Sequence, residues 1–154
     1  MDNIIESMII RDFTPSDKAM VEEFFDQMGG ETRALFNRDD GNRHNAMNYF
    51  KGNVKNIKYC LAEYEGRMTG YVFMWDINTM VPWLGIAVRE EFKGRHLGRR
   101  LISHMADYAK ENGKGGIMLT THIINLAAQS LYERMGFKCL GMQTGSEALY
   151  FLRF

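Results

Sequence analysis

The sequence is poor in cysteine and has no surplus of charge. Its 154 residues include two cysteines, Cys60 and Cys139, which do not form a CxxC pair. Two cysteines are too few for a disulfide scaffold, and free cysteines are usually buried, so we expect a reducing compartment. Lys and Arg number 19, as do Asp and Glu, so the formal net charge is zero. A neutral chain has no overall field that attracts nucleic acid or an anionic membrane, and we expect neither partner.

Long apolar runs and signal-like features are also missing. No stretch approaches the roughly 20 apolar residues that a membrane-spanning helix needs. The opening residues "MDNIIESMII" carry two acidic residues and lack the basic stretch of a secretory signal. Hydrophobic residues make up 45% of the chain, which is typical of a globule with its own core. We therefore expect one domain over residues 1–154, soluble and cytoplasmic.

The hydrophobic periodicity predicts a mixed α/β fold. A helix begins at Thr14-Pro15, one or two short helices lie within 30–56, and longer helices cover 97–112 and 125–136. Strands are predicted at 7–13, in a hairpin at 57–77, at 80–88, at 116–122 and in two runs within 137–154. Because one helix connects strands 80–88 and 116–122, these two strands should lie parallel in a right-handed βαβ unit.

The stretch "EEFKGRHLGRRLI" at 90–102 gathers cations and glycines at the start of a predicted helix. The cations are Lys93, Arg95, Arg99 and Arg100. Helix N-termini carry unpaired N–H groups and the positive end of the helix dipole, and glycines such as Gly94 and Gly98 allow close backbone approach. A solvated, arginine-rich first turn is the alternative, but cations there oppose the dipole. The sequence of this stretch therefore favours a phosphate-binding site, although it matches neither the P-loop motif nor the GxGxxG motif.

A second motif, "NLAAQSLYERMGF", follows strand 116–122. Asn125, Ala128, Leu131 and Tyr132 share roughly one face of the predicted helix. Asn125 by itself is a natural N-cap, and each of the others by itself is an ordinary core residue. The combination indicates a helix face that meets a ligand.

With these two motifs in this order, the chain resembles the GCN5-related N-acetyltransferase (GNAT) family along nearly its whole length. The second family motif is matched in full by Asn125, Ala128, Leu131, Tyr132, Gly136 and Phe137. The first is matched in part, because Lys93 replaces the usual Arg or Gln and His96 replaces a glycine, while Gly98 is kept. Histidine tolerates positive φ better than most residues, so we expect binding to survive.

The resemblance implies a fold, a cosubstrate and a set of binding residues. The fold would be a mixed, mostly antiparallel sheet of six to seven strands, with splayed parallel strands 4 and 5 and about four helices. The cosubstrate would be acetyl-CoA, with no metal. The residues expected to contact it are Ile86, Ala87 and Val88 along the pantetheine, Lys93, Gly94, Arg95, His96, Leu97, Gly98 and Arg99 around the pyrophosphate, and Asn125, Ala128 and Tyr132 on the later helix.

The same resemblance implies N-acetyl transfer to a primary amine by direct attack. Tyr132 would be the general acid that protonates the leaving thiolate. The base stays open, because strand 80–88 contains no carboxylate; His122, Asp76 and a water chain are alternatives.

The acceptor would lie between segment 28–56 and the last strands. It could be a small-molecule amine or a peptide or protein N-terminus, and we expect a monomer or homodimer. The alternative function is a catalytically silent acyl-CoA-binding sensor or regulatory module, against which the presence of Tyr132 argues.

Overall fold

The computed structural model describes residues 2–37 and 39–154, which form seven strands and six α-helices. The strands are β1 Ile9–Asp12, β2 Ile57–Tyr64, β3 Arg67–Trp75, β4 Trp83–Val88, β5 Gly116–His122, β6 Lys138–Met142 and β7 Glu147–Arg153. The helices are α1 Asn3–Ser7, α2 Lys18–Asp26, α3 Gly30–Phe36, α4 Gly41–Phe50, α5 Leu97–Glu111 and α6 Leu126–Arg134. One sheet contains all seven strands in the order β1-β2-β3-β4-β5-β7-β6.

The predicted fold class is confirmed, with two more helices than expected. Residues 30–56 contain α3 and α4, which agrees with the one or two short helices predicted there, whereas α1 was not predicted and its last residue, Ser7, takes the start of the strand predicted at 7–13. The side chain of Asp2 accepts hydrogen bonds from the N–H groups of Ile4 and Ile5 (3.1 and 3.4 Å), which stabilises this five-residue helix. The first strand therefore begins only at Ile9.

Side chains of β3 alternate between two cores on opposite faces of the sheet. Val72 and Met74 pack in the core that contains α1, α5 and α6. Tyr71 and Phe73 pack in an aromatic core under α2 and α4. Seven consecutive residues of β3 are buried, which is expected of a strand that has helices on both faces.

The parallel strands β4 and β5 separate along their length. β4 pairs with β3 from Trp83 to Val88, and β5 pairs with β7 over its whole length. Between β4 and β5, however, the register contains the single pair Trp83 and Met118. The two strands thus meet where they begin and diverge toward their carboxyl ends. We call the resulting gap the splay; the prediction of splayed strands 4 and 5 is confirmed.

The helices cover the two halves of the sheet unequally. The aromatic core under α2 and α4 contains residues of β2, β3 and β4, and among the described residues it includes none from β5, β6 or β7. On that face the outward side chains of β5 and β7 are exposed or only half-buried: Met118, Thr120, His122, Glu147, Leu149 and Phe151. We call this surface the open face; it adjoins the splay.

Candidate functional site

Helix α5 begins without a side-chain cap. Its N-cap residue, His96, has φ 72° and ψ 11°, and its imidazole makes no capping hydrogen bond. The first turns of α1, α4 and α6 differ, since their N–H groups donate to the side chains of Asp2, Asn37 and Asn125. Within residues 2–37 and 39–154, no group accepts a hydrogen bond from the main-chain N–H of residues 94–99.

Six consecutive N–H donors therefore lie at the positive end of a 15-residue helix. Gly94 has φ 72°, and no atom lies within 4 Å of where a Cβ would be, so the loop backbone is open. No acidic residue occupies the first turn of α5. Unpaired amides at a helix start, in a loop with left-handed residues, form a binding site for a phosphate-like anion.

Two of the cations near this loop are bound to carboxylates. Arg95 pairs with Asp2 (Nε to Oδ2, 2.6 Å) and holds the pKa of that carboxyl at about 2. The Lys93 ammonium donates to Glu90 Oε1 at 3.1 Å and also to the Thr32 hydroxyl on α3. These side chains thus tie the loop to the N-terminal segment and to α3, and they contribute less free charge than the sequence suggested.

The two arginines in the first turn of α5 differ in whether their side chains are bound by neighbouring residues. Arg100 donates to the main-chain carbonyls of Ile5 and Met8, which fixes α1 against α5. The Arg99 guanidinium makes no ion pair or hydrogen bond with any residue of the described ranges. Arg99 is therefore the cation whose full charge is available to an anion at the loop.

Gly98 lies where α5, α6 and β4 meet. A Cβ at this position would come within 3.2 Å of Leu131 Cδ2 and 3.8 Å of Ile86 Cδ1. The absence of a side chain thus lets α5 approach both α6 and the β4 edge beside the splay. Along that edge, Ile86, Ala87 and Val88 pair with β3 and have no register partner in β5.

Helix α6 has Asn125 as its N-cap and buries Tyr132 in the same core as α5. The Asn125 Oδ1 atom accepts a hydrogen bond from Ala128 N (3.2 Å), which confirms the predicted N-cap. The Asn125 amide NH₂ donates to no residue within the described ranges, and Ala128 is half-buried against the core.

Tyr132 is 6% exposed and packs against Phe137 and Tyr150, with ring centroids 5.8 and 5.9 Å away. Burial raises the pKa of the Tyr132 phenol well above its ordinary value, because the phenolate would lose its solvation. The phenol is thus protonated throughout the neutral range. This is the state that a general acid needs.

The structure separates the two residues that we considered as bases. His122 ends β5 on the open face, and its Nδ1 accepts a hydrogen bond from Ile124 N at 3.2 Å. A neutral ring in this arrangement has its proton on Nε2, so its free nitrogen is a donor. Asp76 lies in the exposed turn after β3, beside the Trp75–Trp83 pair where β4 and β5 converge. That is the closed end of the splay, about five strand residues or 17 Å from Val88.

Sequence reasoning missed one residue of this region, Glu147. It is paired with His122 in the β5–β7 register, and it is the sole carboxylate in the sequences of β4, β5, β6 and β7. Successive side chains of a strand point to opposite faces, so the sequence "EALYFLR" could have placed Glu147 on the face of the sheet away from Ala148 and Tyr150. The register that sets it beside His122 is a long-range pairing that the sequence alone does not reveal.

Comparison with known proteins identifies the class to which this fold and site belong. Residues 18–137 match the acetyltransferase (GNAT) family, and the chain belongs to this family. The L-amino acid N-acyltransferase MnaT of Escherichia coli K12 is 24% identical over 136 residues, which cover 84% of this chain and 79% of that protein. The streptothricin acetyltransferase of Streptomyces lavendulae is 38% identical over 65 residues, which cover 42% of this chain and 33% of that protein. The matches with four of the curated relatives span between 33% and 56% of their lengths.

Solved structures share the fold over nearly the whole chain. The PaiA N-acetyltransferase of Thermoplasma acidophilum, determined in complex with coenzyme A, superposes with a TM-score of 0.80 at 19% identity. The match covers 96% of this chain and 99% of that one. Within residues 2–37 and 39–154, we find no helix with the length and apolarity to cross a membrane and no group of three or more His, Cys, Asp or Glu that could hold a metal ion.

Proposed function

We propose that this chain transfers the acetyl group of acetyl-CoA to a primary amine of a small molecule or of a peptide or protein N-terminus, by direct attack. The observation that carries the proposal is the uncapped start of α5, where six main-chain N–H groups lie beside the splay. A diphosphate needs several converging donors and a positive potential, and this loop supplies both.

The residues beside the loop fit the rest of the cosubstrate. The edge of β4 at Ile86, Ala87 and Val88 has no strand partner in β5, so amides of a pantetheine arm can bond to it as another strand would. The Asn125 amide provides a further donor at the start of α6. Arg99, whose charge is not paired within the described ranges, lies in the first turn of α5 next to the diphosphate-binding amides.

The chemistry requires three proton movements. The acceptor ammonium loses a proton, its nitrogen then attacks the thioester carbon, and a C–N bond forms. The C–S bond breaks and the thiolate receives a proton from Tyr132, and the second proton lost by the nitrogen restores the Tyr132 phenol through solvent. The products are the N-acetylated amine and CoA with a free thiol. Backbone N–H groups at the β4 edge stabilise the oxyanion, and the buried Tyr132 phenol supplies its proton next to the leaving sulfur.

The relatives support an amine acceptor without fixing which one. One is named for L-amino acids and another for streptothricin, so the relatives do not share one named substrate. Segment 28–56 carries charges of both signs, and apolar side chains among its described residues pack in the aromatic core against β2, β3 and β4.

The proposal is tested by thermal unfolding followed by an acceptor screen. A ligand that binds only the native state at a hundred times its Kd adds about 2.7 kcal/mol to the free energy of unfolding. For a chain of this size that raises the Tm by roughly 5–10 °C. We expect this shift with acetyl-CoA, and release of free CoA when a suitable amine is added. No Tm shift at millimolar acetyl-CoA would contradict the proposal, and a shift without turnover on any amine would favour the acyl-CoA sensor.

A further inference from the structure

The open face contains one carboxylate at the wide end of the splay. Glu147 begins β7, opposite His122 at the carboxyl end of β5. Because Ala148 and Tyr150 are buried in the core on the α6 side, Glu147 points to the other face. His122 points there as well, since its neighbour Thr121 is buried while Thr120 is exposed.

The main chain holds Glu147 in a fixed place while its carboxylate is left unpaired. Its N–H donates to the Thr144 hydroxyl at 3.0 Å, and its carbonyl accepts from Gln143 N at 2.8 Å. The Glu147 carboxylate makes no ion pair or hydrogen bond within residues 2–37 and 39–154. A half-buried carboxylate with a fixed backbone and no partner is suited to bind a cation from solution.

The splay connects this carboxylate with the cofactor side of the sheet. Helices α5 and α6, which hold the proposed cosubstrate-binding groups, pack on the opposite face. Beyond the Trp83 and Met118 pair, no β4–β5 pairing closes the sheet between the two faces. An amine bound on the open face can therefore reach a thioester that lies in the gap.

We propose that Glu147 is the residue that binds the acceptor ammonium and takes its proton, with His122, its register partner on the open face, as a positioning residue whose Nε2–H group is free to bond the rest of the acceptor. This inference rests on the proposed acetyl transfer. The ammonium N–H bond breaks and its proton moves to the Glu147 carboxylate, which leaves a neutral amine with a free electron pair. That pair forms the C–N bond as the C–S bond breaks, and Glu147 later returns its proton to water.

The first test compares Glu147→Gln with the matched control Glu111→Gln, a substitution at an exposed residue at the end of α5. Acetyl-CoA is supplied with five primary amines: ethanolamine, glucosamine, spermidine, L-phenylalanine amide and the tripeptide Ala-Arg-Phe. For the amine that wild type uses best, Glu147→Gln should lower kcat/KM by about 10²–10⁴-fold, as loss of a general base does. The acetyl-CoA-induced Tm shift should not change in either variant, and Glu111→Gln should keep the wild-type rate.

A second acceptor separates proton removal from a structural role. The aromatic amine 4-methoxyaniline is already neutral near neutral pH, so it needs no base to become a nucleophile. The defect of Glu147→Gln should therefore be at least tenfold smaller with this acceptor than with the alkylamine. An equal defect with both acceptors would overturn the assignment of Glu147 as the base.

The His122 variant, and the ways in which the inference can fail, can also be told apart by measurement. His122→Asn keeps an acceptor for Ile124 N and removes the ring donor, so it should cost less than Glu147→Gln and raise the acceptor KM more than it lowers kcat. Wild-type kcat/KM in Glu147→Gln would overturn this inference alone. If the wild-type protein released no CoA with any of these amines, the proposed acetyl transfer would fail, and this inference with it.

Discussion

Helices α5 and α6 both begin next to the splay, but their first turns differ. At α6 the Asn125 side chain caps the first turn. At α5 the N-cap residue His96 makes no side-chain bond, and the N–H groups of 94–99 have no partner within the described ranges. Unpaired N–H groups at a helix start destabilise the ligand-free fold, and a bound anion can offset this cost by accepting their hydrogen bonds. The difference supports our proposal that α5 binds the cosubstrate phosphates, whereas α6 has a capped start and carries Tyr132, the proposed general acid.

The largest expected effect concerns chemistry on α6. Tyr132→Phe keeps the ring contacts with Phe137 and Tyr150 and removes only the hydroxyl. Loss of a general acid should lower kcat by about 10²–10⁴-fold and leave the acetyl-CoA KM nearly unchanged. Steady-state kinetics on the best amine measure both, with Tyr108→Phe on α5 as the control. A kcat within about threefold of wild type would assign thiolate protonation to solvent.

The next effect concerns cosubstrate binding at α5. Gly98→Val places methyl groups against Leu131 and Ile86, where α5, α6 and β4 meet. Acetyl-CoA affinity should fall by at least tenfold, which corresponds to about 1.4 kcal/mol. Titration calorimetry measures it, with Gly41→Val as the control, since nothing lies within 4 Å of a Cβ at Gly41. Unchanged affinity in Gly98→Val would show that the ligand does not approach this turn closely.

A third pair of variants separates the two roles of Asn125. Asn125→Ala removes the cap, which should cost about 1 kcal/mol and lower the Tm by roughly 2–4 °C. Asn125→Asp keeps the capping oxygen and removes the amide donor, so the Tm should hold while acetyl-CoA affinity falls. If Asn125→Asp binds acetyl-CoA like wild type, the residue acts only as a cap.

The smallest effect is expected at His96. A residue other than glycine at φ 72° costs about 1–2 kcal/mol, although histidine tolerates this region better than most. His96→Gly should therefore raise the Tm by a few degrees at most, with acetyl-CoA affinity equal or tighter. Thermal unfolding with and without acetyl-CoA checks both expectations. Loss of activity in a stably folded His96→Gly protein would give His96 a chemical role that the structure does not suggest.

Local patterns in the sequence predict most of the fold. The βαβ unit, the hairpin at 57–77 and the Asn125 cap depend on neighbouring residues, and all are present in the structure. Helix α1 was missed because it has five residues and depends on one Asp2 cap. Tertiary contacts also fix it, since Arg100 binds the carbonyl groups of Ile5 and Met8.

The candidate site was less predictable, because its partners are far apart in the chain. Arg95 is bound to a carboxylate 93 positions away, and Lys93 to a hydroxyl 61 positions away. Because of those pairings, the basic cluster does not provide four unpaired charges. The groups left to bind an anion are the main-chain amides of the loop and the Arg99 side chain. Glu147 was missed for the same reason, since only the β5–β7 register places it beside His122.

The central claim is that the main-chain amides at the start of α5 bind the diphosphate of the cosubstrate. Amide NMR spectra recorded during titration with CoA, and in parallel with pantetheine, which lacks the diphosphate, test it most directly. We expect the amide signals of residues 94–99 to shift strongly with CoA and little with pantetheine. Saturable CoA binding that leaves these six amide signals in place would contradict the account.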